Sequence, residues 1–493
     1  MKKHFFAIFF SFLGCTLVLT GILLLGETSP IPLLAQVEDA EYEGARACSE
    51  CHSNVARIHT NTNHALTLQD VGRDKESILA NFDDDNLPQI TFPDSTDARP
   101  LSPDDIAYTL GAGRYVQRYL YAVARNDYQI LPVEWNTITN TWQSFLLDET
   151  GDWLSDTYDF SENCAYCHTS GFDTERFRWE DDGVQCESCH GLGSVHVEEA
   201  DDAGRNPSDR ELTRIKEAIH IGTDAQVCGQ CHSMGESPDG HTFPTSFVAG
   251  GTLISDDSYA LVSNDDPLFW WGTNNAKHTN MQFNEWAISG HAEADVTCVA
   301  CHSPHAETET PQLHLLTQAP YALCASCHNN SASTDDTNPN APPNVEMYEG
   351  LTVIDEVVGI PSAHFSATDN APDCLTCHMP NLPVNDGFTR PSHTFAVIMP
   401  QSALAVPEIT DGCSECHQDQ ATSQDMQALI DDIQATTQNR IEAIRPLITD
   451  STPAWIVTAL RFVEDDGSFG VHNYTYADAL LDTIETALGM SQP

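Results

Sequence analysis

The spacing of hydrophobic and polar positions changes several times along this 493-residue chain, and the first segment is the most apolar. An apolar run from residue 5 to residue 25 follows Lys2 and Lys3. It is long enough to span a bilayer and longer than the core of a usual signal peptide. We therefore expect residues 1–35 to be an export signal or a membrane anchor. The two lysines should stay inside and the rest of the chain should cross the membrane. Whether this segment is cleaved stays open.

A different pattern occupies the region between His64 and Cys164. Residues 113–121 and 128–135 alternate apolar with polar side chains and are rich in aromatic residues, and residues 136–141 are typical of a turn. Such alternation predicts short β-strands. We expect a small β-rich insert at about residues 80–160.

The end of the chain has the spacing of amphipathic helices. Three such stretches cover residues 423–448, 454–463 and 476–488, with Pro446 and Pro453 separating the first two and glycines preceding the last. Proline and glycine in these places end one helix and begin the next. We expect residues 418–493 to form a C-terminal helical segment.

The pattern Cys-x-x-Cys-His occurs eight times and uses sixteen of the seventeen cysteines. In chain order, motifs 1 to 8 are Cys48-Cys51-His52, Cys164-Cys167-His168, Cys186-Cys189-His190, Cys228-Cys231-His232, Cys298-Cys301-His302, Cys324-Cys327-His328, Cys374-Cys377-His378 and Cys413-Cys416-His417. This is the attachment signature of haem c, in which both thiols bond the porphyrin and the histidine binds the iron. Zinc sites need a second cysteine pair or a spaced histidine pair, and disulfides do not explain a histidine after every second cysteine. We therefore expect eight covalently attached haem c groups.

Eight haems distributed over residues 36–417 would supply much of the apolar core themselves. This predicts one continuous octahaem domain that includes the β-rich insert. The fold class expected is mainly α with extensive coil, a multihaem cytochrome c fold with a haem-packed core, because each attachment turn is short.

The second axial ligand of each iron decides between electron transfer and catalysis. After His4 and the eight motif histidines are set aside, twelve histidines remain for eight sites. They are His59, His64, His196, His220, His241, His278, His291, His305, His314, His364, His393 and His472. The chain therefore has more histidines than eight second axial ligands require.

Several segments resemble multihaem c-type cytochromes of the group that includes the nitrifier tetrahaem cytochrome c, octahaem tetrathionate reductase and hydroxylamine oxidoreductase. The elements are Thr62-Asn63-His64-Ala65, the segment from Trp286 to Ala292, and the block from Gly183 to His196. The resemblance implies distal ligation by His64, His196 and His291, and by the histidines of three further elements, His305, His393 and His472. His278 and His364 complete the expected set of eight. The other four are reserves.

The sequence departs from the catalytic members of that group. The nitrite and tetrathionate reductases use a motif ending in Lys, whereas all eight motifs here end in His. Hydroxylamine oxidoreductase also depends on a tyrosine cross-link, and no tyrosine here is identified with it. Arg114 and Arg118 are candidates for an anion site, although pairing with haem propionates is the commoner role of such arginines.

The chain is strongly acidic, with 73 Asp and Glu against 21 Lys and Arg and a net charge of −52. Such a surface repels nucleic acid and keeps a protein soluble; beyond plain solubility, it suits redox partner proteins with a basic face.

We expect an extracytoplasmic electron carrier, in the periplasm or at the cell surface, acting in respiratory electron transfer with mostly bis-histidine haems. Two alternatives stay open. One is an oxidoreductase that acts on nitrite, hydroxylamine or tetrathionate at one five-coordinate haem. The other is a subunit of an oligomer or haem-lined filament.

Overall fold

The computed structural model describes residues 40–83, 86–148, 150–255, 257–305, 320–330, 341–367, 371–385, 387–417 and 422–490. The expected N-terminal signal or anchor and His314 lie outside these ranges. Within them, no helix combines the length and the apolar character needed to cross a membrane.

Helices are the main regular elements, and most of them are short. In the described ranges they are α1 (Ala45–Cys51), α2 (Ser53–His59), α3 (Phe160–Asn163), α4 (Ala165–His168), α5 (Cys186–His190), α6 (Ser194–Ala203), α7 (Asp209–Glu217), α8 (Ala225–Gly229), α9 (Gln282–Ala287), α10 (Gly290–Glu293), α11 (Pro320–Ala325), α12 (Asn344–Glu349), α13 (Cys374–His378), α14 (Pro400–Ala403), α15 (Ser414–His417), α16 (Ser423–Ile444), α17 (Ala454–Asp465) and α18 (Tyr474–Ala487). Coil joins them, and the attachment motifs lie on or beside the short ones. The predicted fold, mainly helical with much coil, is confirmed.

The β-rich insert is present as a five-stranded antiparallel sheet with the order β1-β4-β5-β6-β7. The strands of the chain are β1 (Leu68–Asp70), β2 (Gln89–Ile90), β3 (Arg99–Pro100), β4 (Tyr108–Leu110), β5 (Val116–Ala124), β6 (Asp127–Asn136), β7 (Thr141–Ser144), β8 (Thr169–Ser170), β9 (Asp181–Asp182), β10 (Gly235–Glu236), β11 (Ala260–Leu261), β12 (Asn381–Pro383) and β13 (Thr389–Pro391). Asn126 turns β5 into β6 with a φ of 60°, a conformation that asparagine tolerates better than most residues. The sheet begins at β1, before the predicted start of the insert near residue 80. Sequence pattern did not indicate this strand, because three residues are too few to show an alternation.

The core of this insert reaches motif 2. Tyr119, Leu131 and Phe160 are fully buried in one apolar cluster that also contains Ala165, the first residue of α4, and Cys164 packs against it. The sheet therefore positions the attachment turn of motif 2 through shared packing.

The C-terminal segment forms the predicted three helices, α16, α17 and α18. Helix α16 begins at a capping box between Thr422 and Asp425 and ends four residues before the predicted boundary, where Pro446 lies in a short 3-10 turn. The apolar cluster of these helices also contains Met347 of α12. This packing holds the C-terminal helices against the region between motifs 6 and 7.

Candidate haem-binding sites

Each attachment motif is a tight helical turn. The backbone N–H of the motif histidine donates to the carbonyl of the first cysteine, at 2.9 Å for His52 to Cys48 and 2.8 Å for His302 to Cys298. A residue and the one four positions later lie on the same face of such a turn. The two thiols and the imidazole of one motif can therefore bind the same haem.

Seven motif histidines face a second imidazole. The pairs and their ring-centroid distances are His52 with His196 (6.2 Å), His190 with His305 (5.8 Å), His232 with His64 (6.1 Å), His302 with His393 (6.3 Å), His328 with His291 (6.1 Å), His378 with His472 (6.2 Å) and His417 with His364 (6.2 Å). Two metal–nitrogen bonds of about 2 Å, with each ring centroid about 1 Å further out, place two axial imidazoles about 6 Å apart. The donor set and its spacing therefore fit a haem iron held between two histidines.

Motif 2 differs from the other seven. No described imidazole faces His168, whose Nδ1 lies 2.7 Å from Thr67 Oγ1. The remaining expected ligand, His278, lies elsewhere: its ring centroid is 5.3 Å from that of Phe269 and its Nε2 is 3.2 Å from Asn385 Nδ2. Backbone hydrogen bonds from Lys277 N to Phe269 O and from Asn385 N to Lys277 O hold this segment in place. The assignment of His278 as a distal ligand stays a prediction.

The three described reserve histidines have other contacts. His59 Nε2 lies 2.8 Å from the carbonyl of Val184, and the ring of His241 packs on Phe243 at 4.9 Å. The carbonyl of His220 accepts a hydrogen bond from His190 Nδ1 at 2.9 Å. His220 thus orients a motif histidine through its backbone.

Hydrogen-bond partners at Nδ1 orient half of the paired histidines. They are Ile215 O for His196 (2.7 Å), His220 O for His190 (2.9 Å), Gln282 Oε1 for His232 (3.2 Å), Asn344 Oδ1 for His328 (2.9 Å), Phe395 O for His378 (2.9 Å), Pro391 O for His393 (3.1 Å) and Asp466 Oδ1 for His472 (2.7 Å). A proton on Nδ1 leaves Nε2 as the metal-binding nitrogen. Sequence reasoning missed these partners, because no local pattern connects Gln282 or Asp466 with a haem site.

Burial favours the neutral imidazole that binds a metal. Desolvation lowers the pKa of His168 to about 4, and the charge of Arg118 acts in the same direction. Desolvation also lowers the pKa of His393 to about 3, with help from the charge of Arg390. These rings are therefore neutral at physiological pH.

The motifs contact one another in a definite order. Neighbouring thiols raise the pKa of four motif cysteines: Cys186 acts on Cys48, Cys167 on Cys231, Cys298 on Cys228 and Cys374 on Cys324. At longer range, the charge of Cys189 raises the pKa of Cys228, that of Cys324 the pKa of Cys301, and that of Cys413 the pKa of Cys377. The motifs therefore form a row in the order 1-3-4-5-6-7-8, with motif 2 beside motif 4.

Of the two arginines considered as anion ligands, Arg118 lies close to motif 2. Its charge acts on Cys164 and His168, its Nε is 2.8 Å from Glu134 Oε2, and its guanidinium lies 4.1 Å from the centre of the Phe145 ring. Arg114 is exposed and lies against Tyr115.

Comparison with known proteins agrees with this geometry. Residues 138–191 match the family model described as cytochrome c554 and c-prime, and residues 291–333 match the doubled CXXCH motif. The chain is 26% identical to the outer cell wall cytochrome OcwA, covering 91% of this chain and 99% of that one with a TM-score of 0.71. The undecaheme cytochrome from the S-layer of Carboxydothermus ferrireducens is 18% identical, with 92% of this chain and 70% of that one covered and a TM-score of 0.52. No curated protein matches the chain. The chain, with its eight attachment motifs, is thus similar to multihaem c-type cytochromes, both in the two matched family models and in the fold that it shares with OcwA.

Proposed function

We propose that the protein is an extracytoplasmic octahaem cytochrome that conducts electrons along its row of haems in respiratory electron transfer. The observation that carries the proposal is the set of seven imidazole pairs at the separation one iron spans. A haem with two histidine ligands changes geometry little on reduction, which favours fast electron transfer.

The contacts between motifs support conduction through the whole row. Each motif from 1 to 8, with motif 2 set aside, lies near the next in the order given above, so attached porphyrins would be neighbours. Motifs 1 and 8 are the two ends of the row; Cys51 of motif 1 and Cys416 of motif 8 are exposed, as is Cys327 of motif 6 inside the row. We propose that electrons enter at one end and leave at the other.

An exported location is part of the proposal. The two solved cytochromes are described as proteins of the outer cell wall and of the S-layer, and the apolar run at residues 5–25 suits export or anchoring. The donor would be a membrane quinol or reductase and the acceptor an extracytoplasmic redox protein. The net charge of −52 favours partners with a basic face.

The order of the row makes the proposal testable. Replacing Cys228 and Cys231 by Ala removes the attachment of one haem inside the row, whereas the matched change at Cys164 and Cys167 removes the haem beside it. Intact mass should show seven haems in each variant. In single-molecule conductance between tags placed beside motif 1 and beside motif 8, the first variant should lose most of the wild-type current and the second should keep it. Wild-type conductance without the haem of motif 4 would contradict the proposal.

One observation favours a second function, reaction of a small nitrogen or sulfur compound at motif 2. In the described part of the chain no imidazole faces His168, and Arg118 supplies a positive charge nearby. An open haem face permits substrate binding, and Arg118, which pairs with Glu134 through Nε, would bind nitrite or tetrathionate through its other two nitrogens. The test is turnover of nitrite, hydroxylamine or tetrathionate with reduced viologen. Activity that is abolished in Cys164→Ala/Cys167→Ala and retained in Cys228→Ala/Cys231→Ala would support it, and no turnover with any of the three would remove it.

A further inference from the structure

A buried ion pair lies away from the attachment turns. Arg390 is in β13 with 7% of its side chain exposed, and its Nη1 is 2.7 Å from Oε2 of Glu285 in α9, whose side chain is fully buried. Buried charges of this kind are retained only with close partners, because removing a charge from water is costly.

The hydrogen bonds of Arg390 are incomplete. Its Nε donates to the carbonyl of His278 at 3.0 Å, and its Nη1 also donates to the carbonyl of Pro391 at 3.0 Å. Its Nη2 is buried and has no hydrogen-bond acceptor among the described residues. Buried polar groups in folded proteins nearly always have a partner, so this donor points to a group that binds here.

The pair lies between two haem sites. The charge of Arg390 acts on His232 of motif 4 and on His393, the imidazole opposite motif 5. Glu285 Oε2 also accepts from the backbone N–H of His393 at 2.9 Å. The same carboxylate therefore holds the guanidinium and the backbone of a distal histidine.

We propose that Arg390 Nη2 binds a propionate carboxylate of one of the two haems that meet here, those of motif 4 and motif 5, and that the Glu285–Arg390 pair sets the reduction potential of that haem. The planar guanidinium presents donors that match a carboxylate, and a haem carries carboxylates at its edge. A fixed positive charge near the iron favours the reduced form, which carries one positive charge less. This inference deepens the proposed function and rests on haem attachment at motifs 4 and 5.

Redox titration of the full haem-loaded chain tests the inference, with Arg390→Gln, Arg390→Lys and Glu285→Gln. Arg390→Gln should make reduction of one haem about tenfold less favourable, which lowers its reduction potential by about 59 mV for one electron. The potentials of the other haems should stay unchanged. Arg390→Lys keeps the charge and should shift that centre by less than half as much. Glu285→Gln removes the opposing negative charge and should raise the same potential.

The two possible haems are distinguished by a second change. His393→Met marks the motif 5 haem and His64→Met marks the motif 4 haem, because each should raise the potential of its own centre. The Arg390→Gln shift should appear on one of these marked centres. Haem content by intact mass shows that each variant is loaded, and if Arg390→Gln does not yield loaded protein, Glu285→Gln decides alone.

Wild-type potentials in a fully loaded Arg390→Gln, or in Glu285→Gln, would overturn the inference. So would an equal shift of all centres, which would indicate a general loosening of the structure. Either result leaves the conductance test of the row untouched, so failure of the inference and failure of the proposed function can be told apart.

Discussion

At the scale of single residues, six of the seven imidazole pairs have a hydrogen-bond partner at Nδ1 that orients one or both rings. His472 is the clearest case, since its Nδ1 is 2.7 Å from Asp466 Oδ1 and the side chain of Asp466 is only 1% exposed. A carboxylate at this position raises the basicity of an imidazole and fixes its orientation. The potential of the motif 7 haem should therefore depend on both residues.

Replacing His472 by Met should raise the reduction potential of one haem, because a thioether stabilises ferrous iron relative to imidazole. The measurement is a spectroscopic redox titration. His241→Met is the matched control, since His241 packs on Phe243 and faces no motif histidine in the described ranges. A titration unchanged at every centre would remove His472 from the ligands.

Replacing Asp466 by Asn should raise the same potential by a smaller amount, because the weaker acceptor makes the imidazole less basic and a negative charge is lost. Asp465→Asn is the matched control, because it makes the same substitution at an exposed neighbouring residue. It should leave the reduction potential at the wild-type value. Equal potentials in the two variants would show that the contact at Nδ1 does not tune the iron.

The residues at these sites were predictable to different degrees. The attachment motifs and the identity of seven facing histidines follow from the sequence, because the motifs are local and the resemblance covers the distal elements. Their pairing does not, since His64 faces His232 and His291 faces His328 across distant parts of the chain. Tertiary packing alone decides which imidazole meets which motif.

At the scale of elements, the long C-terminal helices were easier to predict than the short ones that carry the motifs. Helices α16, α17 and α18 have enough turns for their apolar spacing to be clear, and Pro446 marks the end of the first. Turns such as α4, with four residues, have no readable period, and β1 is equally short. Their form depends on tertiary packing and on the porphyrins that the thiols bind.

Arg440 forms a cluster of ion pairs between the helices α16 and α18. Arg440 of α16 pairs with Asp478, Asp482 and Glu485 of α18 at 2.6, 2.6 and 2.7 Å. Arg440→Ala should lower the free energy of unfolding of this segment by about 1–3 kcal/mol, because Glu485 is left buried without its partner. The measurement is the midpoint of thermal unfolding followed by far-ultraviolet circular dichroism.

Arg445→Ala is the control for that change. Arg445 pairs with Glu464 at 2.7 Å, but 67% of its side chain is exposed, so solvent screens the pair. Its midpoint should stay close to that of the wild type. A midpoint as low as that of Arg440→Ala would contradict the importance of the Arg440 cluster.

At the scale of the whole molecule, the net charge determines which redox partners the protein attracts. The net charge of −52 attracts cationic reaction partners over a distance set by the salt concentration. Reduction by a cationic mediator should slow as ionic strength rises, and reduction by an anionic mediator should accelerate. Stopped-flow rates that respond to salt in the same way for both mediators would contradict electrostatic steering.

The central proposal is that seven haem irons lie between two histidines and that the haem of motif 2, whose His168 faces no imidazole among the described residues, has an open side. Electron paramagnetic resonance of the fully oxidised protein, with spin integration against its measured haem content, tests this most directly. The account predicts seven low-spin haems and one high-spin haem, with the high-spin signal lost in Cys164→Ala/Cys167→Ala. Several high-spin haems, or a high-spin signal that survives this change, would contradict it.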